Sequence, residues 1–183
     1  RVHLLRSFHD CILTSAKTVI IDNPNLDCRI NGLEKLSPSR FIIDKNLSIP
    51  IRSKIIKSAK KHRTYIIYNK SNKKKINLLK NSNVKMIKMS INELGNFDLR
   101  KVLFKIGKLG FSRIFLETGL NLFTNFLKNR LINDLYIFVS NKKIGKNGYN
   151  SFKNYMKRNL NNKSKQKQRV NLFGDQMLLY RMK

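Results

Sequence analysis

The chain contains little cysteine and little histidine. Of its 183 residues, 2 are cysteines, Cys11 and Cys28, and they form no Cys-x-x-Cys pair. A disulfide framework or a structural zinc site is therefore not expected. The 3 histidines, His3, His9 and His62, have no partners at metal-ligand spacing. The sequence thus predicts no metal site.

Long apolar runs are also absent. No stretch approaches the roughly 18 consecutive apolar residues that a membrane span requires, and no apolar signal region opens the chain. We therefore expect a cytoplasmic protein with no membrane partner. The chain begins at Arg1, without Met, in a segment with the pattern of a helix already under way. From this we expect the back part of a longer polypeptide.

Acidic residues are scarce, with 10 Asp and Glu against 39 Lys and Arg, which gives a formal net charge of +29. One interpretation is a nucleic-acid binder, because clustered cations release counterions from a phosphate backbone. The other is the Lys-, Asn- and Ile-rich composition that an AT-biased genome encodes. The second is favoured, because lysines occur along the whole chain and aromatic residues lie in apolar runs such as 113–116. Nucleic acid is thus not the expected primary partner, although such a field attracts anionic small ligands.

The residues that are present predict an α/β protein. The length and the hydrophobic fraction of 41% suit one folded domain. Short β-branched apolar runs alternate with amphipathic stretches, as in α/β folds. The predicted strands are 11–14, 40–44, 64–68, 84–87, 114–117 and 135–139. The predicted helices are an opening helix, 97–109 and 120–131. Gly174-Asp175 predicts a hairpin between 170–173 and 177–182, and the basic stretches 70–75 and 158–169 are predicted to be loops.

A series of short motifs follows in a fixed order along the chain. They are Leu4-Leu5-Arg6, Thr18-Val19, Asp22-Asn23-Pro24-Asn25-Leu26, Arg29, an arginine-led strand from Arg40 to Asp44, Glu117-Thr118-Gly119, Leu131-Ile132-Asn133-Asp134-Leu135, Lys142-Lys143-Ile144-Gly145 and Gly174-Asp175-Gln176. No single motif is specific, but the ordered set resembles the C-terminal reductase domain of the bifunctional deaminase/reductase of riboflavin biosynthesis.

The resemblance implies a dihydrofolate-reductase-like fold. This is a three-layer α/β/α arrangement with a mostly parallel mixed central sheet and a C-terminal antiparallel hairpin. Residues 1–183 would form a single reductase domain, truncated at its N-terminus so that the first strand is absent. A zinc-dependent deaminase domain is expected upstream in the full-length chain, and a homodimer is the expected assembly.

The resemblance also implies an activity. NADPH would reduce 5-amino-6-(5-phosphoribosylamino)uracil, a phosphorylated aminopyrimidine, to its 5-phosphoribitylamino product by hydride transfer to C1′ of the opened ribose. The cofactor carries such chemistry, while the protein positions donor and acceptor. Three alternatives remain open: a reductase of another heterocycle such as a pteridine or folate, a basic nucleic-acid-binding module, and an inactive descendant of the fold.

Site residues follow from the same resemblance. Thr18 and Asp22 match positions that line the NADPH site, and a longer matching segment comprises Gly119, Leu120, Asn121, Leu122, Phe123, Thr124 and Asn125. Arg6, Leu26, Arg29 and Glu117 match substrate contacts. The residue chemistry agrees in part, because a helix that follows a strand and a glycine offers free N–H groups to an anion, and an arginine fork suits a phosphate.

Two departures from the family pattern bear on the site. Leu120-Asn121 stands where the family usually has a second small residue or Pro, and Lys45 stands where Ser is common. We hypothesise that Lys45 meets the 2′-phosphate of NADPH, a charge match that Ser cannot make. Asp22 and Glu117 are the candidate carboxylates for orientation or proton delivery, and the sequence does not choose between them.

Overall fold

The computed structural model describes residues 1–70, 72–142, 160, 163–170 and 173–182. The chain divides into two compact units, Arg1–Phe123 and Thr124–Lys183. Of the motifs that carry the family resemblance, Lys143-Ile144-Gly145 lies outside the described residues. Within the described ranges, no helix combines the length and the apolar character that crossing a membrane requires.

The first unit alternates helices with strands. In chain order its elements are α1 (Val2–Ser7), β1 (Cys11–Ser15), α2 (Ala16–Asp22), a 3-10 turn (Glu34–Leu36), β2 (Ser39–Ile43), α3 (Lys54–Lys57), β3 (Thr64–Tyr68), α4 (Lys73–Asn81), β4 (Val84–Lys88), α5 (Leu99–Lys108) and β5 (Ile114–Leu116). A further helix, α6 (Leu120–Lys128), begins in this unit and ends in the second.

The strands of the first unit form a five-stranded sheet in the order β4-β3-β2-β1-β5. All four neighbouring pairs are parallel. Successive strands from β1 to β4 extend the sheet in one direction, whereas β5 joins β1 on the other side. The strand order therefore reverses between β1 and β5. In parallel α/β sheets, ligands bind outside the carboxyl ends of the strands at such a switch point.

The core explains why the strands were visible in the sequence. On one face, Ile12, Ile42 and Ile66 belong to a single buried apolar cluster. On the other face, the rings of Phe41 and Tyr65 stack at 4.3 Å, and Phe111 meets Phe41 edge-on at 5.1 Å. Parallel strands covered on both faces are apolar at consecutive positions rather than at alternate ones.

The second unit contains an antiparallel sheet. Its described strands are β6 (Asp134–Val139), β7 (Lys165–Gln168) and β8 (Gln176–Arg181), in the order β6-β8-β7. Phe173 and Gly174 lie in the turn before β8, with φ values of 53° and 94°. Together with the parallel sheet of the first unit, these strands confirm the α/β class and the C-terminal antiparallel strands expected from the sequence.

Two loop predictions were wrong. The stretch 70–75 includes the start of α4, whose first turn is capped because the Asn72 side chain accepts a hydrogen bond from Lys75 N at 3.0 Å. The stretch 158–169 includes β7, which is polar and pairs with β8. Strand β7 lies at the edge of its sheet and is exposed along most of its length. It therefore has no apolar face, and its sequence shows no alternation of apolar and polar residues. The strand that pairs with β8 is therefore Lys165–Gln168 and not the predicted 170–173. Residues 171–172 lie outside the described residues.

Helix α2 was also missed. The predicted strand was 11–14, and no helix was predicted over Thr18-Val19-Ile20-Ile21, whose residues are all β-branched. The structure ends the strand at Ser15, whose side chain accepts a hydrogen bond from Thr18 N and so caps the helix. Helical geometry then buries Ala16 and Val19 on the same face. The capping serine outweighs the low helix propensity of β-branched residues.

Candidate active site at the switch point

Three hydroxyl side chains meet at the carboxyl ends of β1 and β5. Thr18 Oγ1 lies 3.0 Å from Ser15 Oγ and 3.5 Å from Thr118 Oγ1, and Thr118 Oγ1 also lies 3.3 Å from Ser15 Oγ. The backbone N–H of Gly119 donates to Thr18 Oγ1 over 3.2 Å. Since Ser15 both ends β1 and caps α2, the first turn of that helix returns Thr18 to the strand end. We call Ser15, Thr18 and Thr118 the hydroxyl cluster.

Arg6 and Glu117 form a two-point ion pair at the same end of the sheet. Arg6 Nε donates to Glu117 Oε2 over 3.0 Å, and Arg6 Nη2 donates to Glu117 Oε1 over 2.6 Å. The two side chains are 10% and 30% exposed, so water screens the pair only partly. The backbone N–H of Glu117 donates to the Leu13 carbonyl over 3.1 Å, which fixes the residue beside β1. The arrangement holds the carboxylate in one orientation.

The same arginine joins this pair to the loop that carries Arg29. Arg6 Nη1 donates to the Asp27 carbonyl over 2.8 Å, and His3 Nδ1 lies 3.0 Å from that carbonyl. His3 Nε2 lies 3.3 Å from Arg29 Nη2, and the backbone N–H of Arg29 donates to His3 Nδ1 over 3.2 Å. Arg29 Nε lies 3.5 Å from Asp27 Oδ1, and its side chain is 64% exposed. Arg29 therefore keeps most of its guanidinium open to a ligand.

A fully buried arginine anchors the start of that loop. Arg40 has 0% relative exposure, and its Nη1 donates to the Asn25 carbonyl over 2.9 Å. Its Nη2 donates to the carbonyls of Ile55 and His62 over 3.0 and 2.9 Å, and its Nε to Thr64 Oγ1 over 3.1 Å. Burial lowers the pKa of Arg40 to about 10. Its neutral partners offset the cost of burying the cation, and they tie the loop to β3 and α3.

Lys45 follows β2, the strand next to β1. Its Nζ donates to the Gly95 carbonyl over 2.7 Å, and its own carbonyl accepts from Asn69 N and Lys70 N. The side chain is half-buried and its Nζ keeps two further protons for a ligand. The expectation that Lys45 contacts a cofactor phosphate remains a prediction.

Asp22 and Leu26 stand apart from the hydroxyl cluster. Asp22 is the exposed last residue of α2, and its side chain makes no hydrogen bond or ion pair to another described residue. Helix α2 has seven residues, which places its two ends about 10 Å apart. Leu26 is 2% exposed and belongs to the apolar core, so its side chain offers no free surface.

The segment 119–125 forms the start of α6. Gly119 precedes the helix, and a Cβ at this position would lie 3.8 Å from Thr18 Oγ1, an ordinary contact distance. Leu120, Asn121, Leu122 and Phe123 belong to the first unit, whereas Thr124 and Asn125 belong to the second. The first turn of a helix carries N–H groups without helical partners. At the start of α6 the Phe123 N–H is bonded to the Gly119 carbonyl, and the N–H groups of Leu120 and Leu122 can meet an anion.

Neither cysteine is suited to covalent chemistry, and the described residues form no metal site. Both cysteines are free and buried, and burial raises the pKa of Cys11 to about 12, with Asp10 adding to the shift. That thiol therefore stays protonated. Among the described residues, no group of three or more His, Cys, Asp or Glu side chains is arranged to hold a metal ion.

Sequence reasoning missed four residues of this site: His3, Ser15, Asp27 and Thr118. Asp27 Oδ1 is buried and has no hydrogen-bond partner among the described residues, so this carboxylate has spare accepting capacity. A signal existed for Ser15, since serine at a strand end followed by a helix is a frequent cap. His3, Asp27 and Thr118 are recognisable only from contacts between distant parts of the chain.

The fold and the site together define a class of protein: a parallel α/β unit with a polar ligand site at its switch point. The model of one family, the RibD C-terminal domain, matches residues 1–177. The chain belongs to this family. The resemblance inferred from the ordered motifs is thereby confirmed.

Individual relatives agree. The riboflavin biosynthesis protein RibD of Aquifex aeolicus is 30% identical over 143 residues, which cover 78% of this chain and 38% of that protein. The deaminase/5-amino-6-(5-phosphoribosylamino)uracil reductase of Thermotoga maritima has a TM-score of 0.72 at 18% identity, covering 98% of this chain and 47% of that one. The riboflavin biosynthesis reductase of Saccharomyces cerevisiae has a TM-score of 0.70 at 23% identity, covering 98% and 78%.

The chain therefore spans less than half the length of the bifunctional relatives. The structural likeness confirms the reductase-domain fold that the motifs implied.

Proposed function

We propose that the chain is an NADPH-dependent oxidoreductase that reduces 5-amino-6-(5-phosphoribosylamino)uracil to its 5-phosphoribitylamino product in riboflavin biosynthesis. Family membership supports this activity, since a matched relative is a reductase named for that substrate. The observation that carries the proposal is the Arg6–Glu117 pair at the switch point. It offers fixed polar groups where parallel α/β sheets bind their ligands.

The residues around the switch point fit a phosphorylated dinucleotide. The hydroxyl cluster and the backbone N–H groups of Leu120 and Leu122 can donate hydrogen bonds to phosphate oxygens, and the cluster itself includes no carboxylate. Lys45 adds a cation beyond the end of the neighbouring strand. NADPH, when bound, supplies the hydride. We assign Thr18 and Lys45 to cofactor binding, with Lys45 on the 2′-phosphate.

Glu117 and Arg6 have different roles in this proposal. Both carboxylate oxygens of Glu117 are already bonded to Arg6, which holds them in place but leaves lone pairs for N–H or O–H groups of the substrate. Arg6 is itself engaged by Glu117 and the Asp27 carbonyl, so it positions Glu117 rather than capturing a phosphate. The exposed Arg29 is the better ligand for the ribose phosphate.

Of the two candidate carboxylates, Glu117 is the better one for assisting hydride transfer. It adjoins Thr118 of the hydroxyl cluster, whereas Asp22 lies at the distant end of α2. We expect Glu117→Gln to lower kcat about 100-fold, because a charged acceptor is lost from the site. Asp22→Asn should change kcat less than about threefold. A larger loss in Asp22→Asn than in Glu117→Gln would reverse the assignment.

The experiment that tests the proposal follows NADPH oxidation at 340 nm with the aminopyrimidine as acceptor, using dihydrofolate as the alternative acceptor. The proposal predicts turnover with the aminopyrimidine and a formed ribitylamino product. Turnover only with dihydrofolate would favour a pteridine or folate reductase. Absence of NADPH binding in calorimetry would overturn cofactor use and favour an inactive descendant of the fold.

A further inference from the structure

The acidic residues are unevenly distributed along this chain. From Lys45 through Asn92, both included, the sequence contains fourteen Lys and Arg residues and no Asp or Glu. This stretch forms α3, β3, α4 and β4, which together make one side of the first unit. Here β4 is the outermost strand and pairs with β3 alone among the described strands. The stretch therefore concentrates positive charge on one part of the surface.

A groove lies within this region. It has a volume of about 720 Å³ and lies at the amino ends of β3 and β4. Five cations line it: Lys60, Lys61, Arg63, Lys80 and Lys85. We call these five residues and the concavity between them the basic groove. Among the described residues that line it, none is acidic or aromatic.

The groove cations are not neutralised within the protein. None of them forms an ion pair or donates a side-chain hydrogen bond to another described residue. Lys85 Nζ lies 5.5 Å from the centre of the Tyr65 ring, a contact that leaves its charge intact. Like charges that lie close together repel each other. An anion that enters the groove reduces this repulsion and so lowers the free energy.

The local field reaches neighbouring groups as well. The pKa of His62, between Lys61 and Arg63, is lowered, mainly by burial. Arg40 and Lys61 contribute to this shift, while Asp27 opposes it. Of the groove cations, Lys61 contributes to the shift, and its contribution is the smallest of the four causes.

The basic groove is separate from the switch-point site. It lies at the amino ends of the strands, whereas the hydroxyl cluster and Glu117 lie at the carboxyl ends. Five-residue strands span about 16 Å, and β4 lies three strand spacings, about 14 Å, from β1. A mononucleotide-sized substrate at the switch point does not reach the groove. Its ligand is therefore a second anion.

We propose that the basic groove binds the phosphate backbone of single-stranded nucleic acid without reading its bases. Several cations in one concavity match a chain of phosphates better than a single phosphate group. The absence of aromatic residues from the lining removes the stacking platforms with which proteins hold bases. This is a second property of the chain, independent of its reductase chemistry.

The test measures fluorescence anisotropy of a labelled 12-nucleotide oligouridylate with the full chain between 50 and 200 mM salt. The groove variant is Lys60→Gln/Lys80→Gln/Lys85→Gln. The control, Lys105→Gln/Lys128→Gln/Lys167→Gln, removes the same charge from exposed lysines elsewhere. We expect the groove variant to weaken binding about tenfold and to lower the salt slope by about 2, because each lost contact to a single strand removes about 0.7. The control should change affinity less than about twofold.

Three results would overturn the proposal. The first is an equal loss of affinity in the groove and control variants. The second is absence of binding by the parent chain at 50 mM salt. The third is tighter binding of inorganic polyphosphate than of an oligonucleotide with the same number of phosphates. Oligoadenylate and oligouridylate should bind equally, and a large preference for either would contradict backbone-only contact. Thermal melting of all three proteins verifies that they are folded, and NADPH oxidation should be unchanged in the groove variant.

Discussion

The carboxyl ends of β1 and β5 and the amino ends of β3 and β4 belong to the same parallel sheet, but they handle charge differently. At the switch point, Arg6 is paired with Glu117, and hydroxyl groups bond to one another. In the basic groove, five cations stand without a carboxylate. The first region suits a ligand with several polar groups in fixed positions. The second suits any chain of negative charges.

The difference shows why net charge alone was a poor guide to function. A formal +29 describes the whole chain, yet in the candidate active site Arg6 is paired with Glu117 and Arg29 lies beside Asp27. Specific chemistry depends on groups held in one geometry, whereas attraction of polyanions depends on uncompensated charge. The two properties can therefore be removed separately.

The largest effect is expected at Arg40, which connects the two regions. Arg40→Met should lower the free energy of unfolding by about 3 kcal/mol, because it leaves the buried carbonyls of Asn25, Ile55 and His62 without a donor. Arg113→Met is the matched control, since that side chain is 68% exposed, and about 0.5 kcal/mol is expected there. Urea denaturation measures both. An equal loss of unfolding free energy in Arg40→Met and Arg113→Met would mean that Arg40 does not anchor the loop.

The next effect separates positioning from phosphate binding within the switch-point site. Arg6→Gln should reduce kcat/KM about 50-fold, mostly through kcat, because Glu117 loses its fixed orientation. Arg29→Gln should instead raise KM about tenfold with little change in kcat, since an exposed cation binds ground state and transition state alike. Steady-state kinetics distinguishes the two. A raised KM in Arg6→Gln together with a lowered kcat in Arg29→Gln would exchange the roles assigned to the two residues.

Both sides of the Arg6–Glu117 pair can also be removed together. In a double-mutant cycle, Arg6→Gln/Glu117→Gln should lose little more activity than Glu117→Gln alone. Additive losses would show that Arg6 acts on the substrate directly.

A smaller effect tests the cation beyond β2. Lys45→Ala should narrow the preference for NADPH over NADH about tenfold, because the 2′-phosphate loses its charge partner. Lys57→Ala removes an exposed lysine from α3 and serves as the control. The ratio of kcat/KM for the two cofactors is the measurement. An unchanged ratio in Lys45→Ala would remove this residue from the cofactor site.

The smallest effect concerns the amino ends of β1 and β5, where no ligand is expected. Asp10 accepts hydrogen bonds from Ser112 N and Arg113 N, and these backbone bonds lower its pKa from 3.8 to about 2. Asp10→Asn should cost about 1 kcal/mol of stability at pH 7 and leave kcat/KM within twofold.

The pH dependence of this contribution has a definite sign. The folded-state pKa of Asp10 is below the unfolded value, so its stabilisation is complete above about pH 4 and is lost as the pH falls toward 2. The difference in unfolding free energy between the parent chain and Asp10→Asn should shrink over that interval. A constant difference would contradict the assignment.

The sheet was largely predictable from the sequence, and the reason is burial. Strands such as Thr64–Tyr68 are covered on both faces, so four of the five positions in this strand are apolar or aromatic. Helices α2 and α4 were not predicted because β-branched and lysine-rich runs resemble a strand and a loop. Their caps, Ser15 and Asn72, are single residues, and similar residues occur throughout the loops of this chain.

The site was predictable as a set of positions but not as a set of contacts. The family resemblance identified Arg6, Thr18, Glu117 and Gly119. That Arg6 binds Glu117 depends on bringing together residues 111 positions apart, which requires the β1–β5 pairing. The basic groove follows from the same kind of information, because Lys60 and Lys85 become neighbours only when β3 pairs with β4.

The most direct test of the central claim compares Glu117→Gln and the groove variant in one assay, NADPH oxidation with 5-amino-6-(5-phosphoribosylamino)uracil. We expect about a 100-fold lower kcat for Glu117→Gln and an unchanged kcat for the groove variant. A parent chain that does not oxidise NADPH with this substrate, or equal losses in the two variants, would contradict it.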